Sequence, residues 1–315
     1  MSRPPRPLVV AALIGAVSAL LGSGLAAAQE PSAGPSVTLI ERGEAPRSTL
    51  RYDLAAMREA AMVMDMDMDM DMRMPEFGSQ SQAMPRMRMR MAFRDLEVLP
   101  QDRLRSRFLL ESTEVLARPG VDPMLLPLLQ GALAEAGNPT GMSVIDNRGR
   151  SIEQTMDTRT MSPAMQQMMQ GWQDAVEQLA APLPEEAVGV GARWRVVQDI
   201  QANGVRMQQT SEYTLLERTP THFRVQVSIT QRAAPQRIED PSLPPGTVVM
   251  LAALNGEGSG EATVPFASLV PTSTVQSRTT MRMETEGPDG RPTELMTMTL
   301  GMTAHIRPAT PSRAP

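Results

Sequence analysis

The chain has 315 residues, with 30 basic and 35 acidic side chains and a formal net charge of −5. Every basic residue is arginine, cysteine is absent, and His222 and His305 are the two histidines. These absences exclude disulfides, thiolate metal sites, cysteine nucleophiles, Schiff-base lysines and a P-loop lysine, and without a basic block nucleic acid is not expected as a partner.

Arg3 and Arg6 precede an apolar run over 8–21, and Ala26, Ala27 and Ala28 follow it. That order is a secretory signal with cleavage after Ala28. The run is short for crossing a bilayer, so no stable transmembrane span is expected after cleavage. Residues 29–35 then read as a flexible lead-in, and the mature chain as exported, periplasmic or secreted.

From residue 36 the apolar positions mostly recur with period two, the signature of half-buried strands. Strands are predicted over 37–41, 48–53, 57–74, 86–99, 103–117, 141–146, 150–157, 192–202, 205–218, 222–233, 247–255, 260–266, 272–286 and 293–307. Turn residues separate several of them: Asp146-Asn147-Arg148-Gly149, Asn203-Gly204 and Gly287-Pro288-Asp289-Gly290. Asp122-Pro123 predicts a helix running to about 136 and ended by Gly137. Ser162-Pro163 opens a second, in which Met165, Met168, Met169, Trp172, Val176 and Leu179 form an apolar stripe. One β-rich domain over 36–307 is the expected organisation, followed by a disordered tail over 308–315.

Methionine is the unusual feature, at 27 residues against nine aromatics. It fills every second position from Met62 to Met74, with Asp65, Asp67, Asp69 and Asp71 between, and recurs at Met87, Met89 and Met91 between Arg86, Arg88 and Arg90. Alternate strand residues point to opposite faces, so one face is thioether and the other charged. Opposing Asp71 to Arg86, Asp69 to Arg88 and Asp67 to Arg90 gives the expected hairpin register, because opposite charges attract across strands. A second hairpin carries Met281, Met283, Met296, Met298 and Met302. Valine or isoleucine would be the better strand former, whereas methionine suits an apolar surface that adapts in shape. The candidate ligand-lining residues are therefore Met66, Met68, Met70, Met87, Met89, Met91, Met281, Met283, Met296 and Met298. A soft core without a ligand is the alternative, and Cu(I) bound by thioethers a third.

Other motifs are weak. Asp65-x-Asp67-x-Asp69-x-Asp71 with Glu76 mimics a calcium loop, but Met70 stands where glycine must turn the chain. Gly256-x-Gly258-x-Gly260 lies between strands instead of before a helix, against a dinucleotide site. Neither a Gly-x-Ser-x-Gly elbow nor His-Glu-x-x-His occurs, so the chain reads as non-enzymatic, with no catalytic residue, metal ligand or cofactor assigned. Nine scattered aromatics do not supply the girdles of a transmembrane β-barrel.

The stretch Pro119 to Met124 and the stretch Leu183-Pro184-Glu185-Glu186-Ala187-Val188-Gly189-Val190-Gly191-Ala192-Arg193-Trp194, with the Met-x-Met strands, resemble a family of exported bacterial proteins of unknown function. Long antiparallel strands with two intervening helices also resemble, in element order, the LolA/LppX half-barrels of periplasmic lipid carriers. That analogy implies a mainly β (α+β) fold, a curved antiparallel sheet or open half-barrel with two helices covering the concave face. It also implies a hydrophobic small molecule or lipid as partner.

Overall fold

Period-two patterning and long runs without proline favour paired strands over helices, and strands dominate the fold. The computed structural model describes residues 35–75, 77–134, 139–157, 182–202, 205–238, 249–286 and 291–311. The expected signal segment, the second helix and the turns at 203–204 and 287–290 lie outside the described residues.

The strands are β1 (Ser36–Glu41), β2 (Ser48–Thr49), β3 (Ala60–Met74), β4 (Gly78–Ala83), β5 (Arg86–Leu99), β6 (Arg103–Leu116), β7 (Thr140–Asp146) and β8 (Ser151–Met156). They continue as β9 (Ala187–Val188), β10 (Arg193–Ala202), β11 (Val205–Arg218), β12 (His222–Ala233), β13 (Gln236–Ile238), β14 (Val249–Pro265), β15 (Thr272–Glu286) and β16 (Pro292–Ala309). Helix α1 is Leu125–Ala134. Fourteen strands form one antiparallel sheet in the order β1-β10-β11-β12-β14-β15-β16-β3-β5-β6-β7-β8, with β4 on β3 and β13 on β14. Strands β2 and β9 pair separately.

Several elements depart from expectation. The 48–53 strand stops at Thr49, because Leu50, Tyr52 and Leu54 turn inward and are buried. The segments expected at 247–255 and 260–266 are one strand, β14, that runs through Gly256, Gly258 and Gly260. β16 continues to Ala309, two residues past the expected domain end, and Arg90 bonds the Thr310 carbonyl beyond it. Asp122 caps α1, its carboxylate accepting from the Met124 amide at 2.9 Å. The helix packs on β6 and leaves Met124 79 % exposed. None of its described side chains joins a core cluster formed by the described residues. Only ten residues long, with Pro127 in its first turn, it buries little.

The principal core joins Trp194, Leu215, Phe223, Val225 and Val264 from β10–β14 with Leu104 of β6 and with Leu50, Tyr52, Leu54 and Met57. Five steps in strand order separate β14 from β6, about 24 Å on a flat sheet, so the 50–57 segment bridges two parts of one sheet. Its Tyr52 amide donates to Asn147 O and its Asp53 amide to Phe266 O, each at 2.8 Å. The turn after β7 anchors it: the Asp146 carboxylate accepts from the Arg148 and Arg150 amides, both at 2.9 Å. Trp194 is fully buried and donates its indole N–H to Pro182 O at 3.0 Å, while its ring stacks on Tyr213 at 5.4 Å. The Val-Gly-x-x-Trp stretch thus delivers a core anchor.

Candidate functional site

The methionine face follows from strand registers, since residues directly opposed across an antiparallel pair share a face. Between β3 and β5, Met62, Met64 and Met66 oppose Met91, Met89 and Met87. Between β3 and β16, Met68 opposes Met302 and Met72 opposes Met298. Met281 opposes Met298 and Met283 opposes Met296 between β16 and β15. The two methionine hairpins are therefore joined side by side through β3 and β16, and all ten candidate residues lie on one face of four adjacent strands.

The expected register is corrected by four residues. Asp65 opposes Arg88, and Asp67 takes Arg86, instead of Asp69 with Arg88 and Asp71 with Arg86. The cause is β4. A tight turn, with the Phe77 amide on Met74 O and Gly78 at φ 81°, folds Gly78–Ala83 back onto residues 69–74. Pro85 has no amide proton for the ladder, and pairing shifts by one residue before β5 begins. Arg118 stitches this break by bonding the Met68 and Met84 carbonyls and the Asp69 carboxylate.

Burial divides the ten methionines. Met70, Met283 and Met298 belong to a core cluster against which Met281 and Met296 pack, and Met91 belongs to another. Met89 is buried opposite Met64. Met66, Met68 and Met87 are half-buried and, with Met302, belong to none of the three clusters formed by the described residues. The half-buried patch extends across the sheet through Ala304, Val275 and Ser277 to Gly260, Gly258 and Ile229. Core packing fills this face on either side of the patch and leaves its middle accessible.

A polar row crosses the same face. Gln198 opposes Gln209, Gln209 opposes Gln231, Gln231 opposes Gly256 and Gly256 opposes Thr279. The Thr279 hydroxyl donates to Gln231 Oε1 at 3.1 Å, and Gln231 Nε2 donates to Gln209 Oε1 at 2.8 Å. Gln209 and Ser211 are buried. Thr279 then opposes Leu300, which opposes Met70, so the row ends where the methionines begin. Sequence reasoning missed it. The available signal was position: Gln198 falls two residues after Val196 and two before Ile200, in the inward set of β10.

The opposite face is charged. Arg86 pairs with Asp67 at 2.6 Å, Arg88 with Asp65 at 2.6 Å and Arg90 with Glu111 at 2.7 Å; Arg278 lies 3.4 Å from Asp71. The hydrogen bond from Arg86 holds the Asp67 carboxyl below the usual carboxylate range. Each aspartate of the calcium-loop mimic faces a guanidinium, a surrounding opposed to cation binding. His305 Nδ1 lies 3.0 Å from Thr274 Oγ1, and His222 Nδ1 lies 3.0 Å from Thr219 Oγ1. Burial pushes the Tyr213 phenol up to about 12, and the Tyr52 phenol is raised by the same cause. An open groove of about 470 Å³ lies over β12, β14 and β15, lined by polar residues including Arg224, Glu261 and Thr274. A second, of about 450 Å³, adjoins Arg107, Gly141 and Met156. Neither is lined by the ten methionines.

No family model matches the chain, and no curated protein matches it. Among solved structures it is similar to the crystal structure of Acinetobacter baumannii OccAB4, at 5% identity over 82% of this chain and 100% of that chain, with a TM-score of 0.22. A likeness at that score carries no weight for fold or function.

Proposed function

We propose that this is an exported, non-enzymatic protein of the cell envelope whose methionine face binds a hydrophobic ligand such as a lipid or acyl chain. On this reading the sheet curves into an open half-barrel with that face on its concave side. The observation that carries the reading is the half-buried centre around Met66, Met68, Met87 and Met302. Thioether chains flanked by packed core form an apolar surface that is accessible yet adaptable. The charged outer face, with Asp69, Asp71 and Arg73 exposed, argues for water and not lipid around the strands.

Titration with N-phenyl-1-naphthylamine tests this. A saturable rise in fluorescence is expected, about tenfold weaker in affinity after the double change Met68→Gln and Met302→Gln. Met124→Gln, on the exposed end before α1, leaves it unchanged. Equal affinity in all three proteins would remove the methionine face from consideration. A Cu(I) site is the second reading, favoured by the direct cross-strand pairing of Met66 with Met87 and Met68 with Met302. Copper retention on the purified protein, lost in the same double variant, would bring it forward.

A further inference from the structure

Resting on that ligand-binding reading, we infer that the ligand is a single-chain amphiphile with an uncharged, hydrogen-bonding head group such as an ester, amide or hydroxyl. The head sits at Thr279 and Gln231, and the chain lies along Met68 and Met302.

The inward positions of β3, β10, β11, β12, β14, β15 and β16 that make up these rows carry no charged side chain; the arginines of the same strands lie on the other face, except Arg218, which follows the irregularity after Leu215 at the far end of β11 and opposes Phe223. A carboxylate or phosphate bound here has no counter-ion, and burying an unpaired charge is far more costly than burying an amide.

The Thr279 hydroxyl gives its proton to Gln231 Oε1, and Gln231 passes one amide proton to Gln209. The Thr279 oxygen keeps its lone pairs and Gln231 keeps a second N–H. Together they offer a neutral acceptor and a neutral donor, complementary to a glycerol ester or an amide. Gln209 is 6 % exposed, so the row behind these two groups is already desolvated and held in place.

Thr279 and Met281 are two residues apart on one face of β15, and Ser277, on the other side of Thr279, opposes Met302. One ligand therefore spans polar row and thioether patch without a kink.

The test uses the full mature chain with N-phenyl-1-naphthylamine bound, competed at pH 8 by monododecanoylglycerol or by dodecanoic acid. The glycerol ester is expected to displace the probe at a concentration at least about tenfold lower. Thr279→Val, which keeps a β-branched strand residue, should abolish that preference, each competitor being scored against the probe affinity measured for the same variant. Dodecanoic acid should gain affinity as pH falls and its carboxyl is protonated. Equal or stronger displacement by the carboxylate at pH 8, or a preference that survives Thr279→Val, overturns the uncharged-head inference while leaving an apolar site standing. Failure of the probe itself to bind overturns the ligand reading as well.

Discussion

Substituting Gly260 by alanine should destabilise the protein, although alanine normally favours folding over glycine. Gly256, Gly258 and Gly260 share the inward face of β14 with Leu254 and Val264. A Cβ at Gly260 would lie 2.5 Å from Thr274 O and 2.9 Å from Val275 Cγ2; at Gly258 it would lie 2.8 Å from Gln276 O. Favourable contacts to a carbon are about 3.5 Å or longer, so β15 must retreat by close to an ångström. The obstacle is a backbone carbonyl within the β14–β15 ladder, which cannot rotate aside. Overpacking of this kind costs about 1–3 kcal/mol, against a gain of about 0.4–1 kcal/mol from restricting the unfolded chain. The clash wins. Gly301 is the control, because its Cβ would meet nothing closer than Asp69 O at 3.8 Å, and only the gain remains. Urea unfolding followed by circular dichroism should show a lower midpoint for Gly260→Ala and an equal or higher one for Gly301→Ala. If Gly260→Ala matches or exceeds the parent, glycine is not what lets β14 approach β15.

Trp194→Phe strands the buried Pro182 carbonyl that the indole serves at 3.0 Å, so a loss of about 1–3 kcal/mol is expected in the same assay; an unchanged midpoint would show that water takes the indole's place. The chain has two tyrosines, both raised by burial, with Tyr213 pushed up to about 12. A folded-state value above the unfolded one, about 10, gives stability that is full below pH 10 and disappears as pH rises through 12. Phenolate absorbance at 295 nm should therefore stay absent at pH 10.5 while circular dichroism is native; an ordinary tyrosine titration there would contradict it. Asp67 has the opposite sign: its carboxyl is lowered by Arg86, so its contribution is full above the unfolded value, about 3.9, and is lost as pH falls through the folded one. Asp67→Asn should flatten the decline in urea midpoint below pH 4, and parallel declines in the two proteins would refute the assignment.

Period-two patterning made the strands legible: β5, β11, β12 and β15 begin and end where alternation begins and ends. The methionine face was legible for the same reason, as a local property of each strand. Register was not. Gly78–Ala83 is Ser/Gln-rich and exposed apart from Ala83, so it carries no apolar alternation, yet its turn geometry outweighs the Asp/Arg ladder in setting the pairing of β3. The observed register keeps two Asp/Arg pairs in place of the expected three, with Val63 opposite Arg90, and the turn outweighs the pair that is lost. The adjacency of the two methionine hairpins depends on β3 meeting β16 across more than 200 residues, which no local pattern encodes. Gly256, Gly258 and Gly260 suggested a break because glycine weakens strands; their spacing of two, on one face, was the sign of close strand approach instead. The glutamine row escaped because Gln198 and Gln231 are each one polar residue in an otherwise apolar inward set, and Gln209 stands beside a single other, Ser211.

Native mass spectrometry of the protein, purified without detergent, with lipid extraction of the same sample, tests most directly whether the methionine face holds a hydrophobic ligand. One lipid bound at near-stoichiometric occupancy, lost in the Met68→Gln and Met302→Gln double variant, is the expected result. A clean apo mass from every preparation would contradict the account and leave the methionines as a soft core.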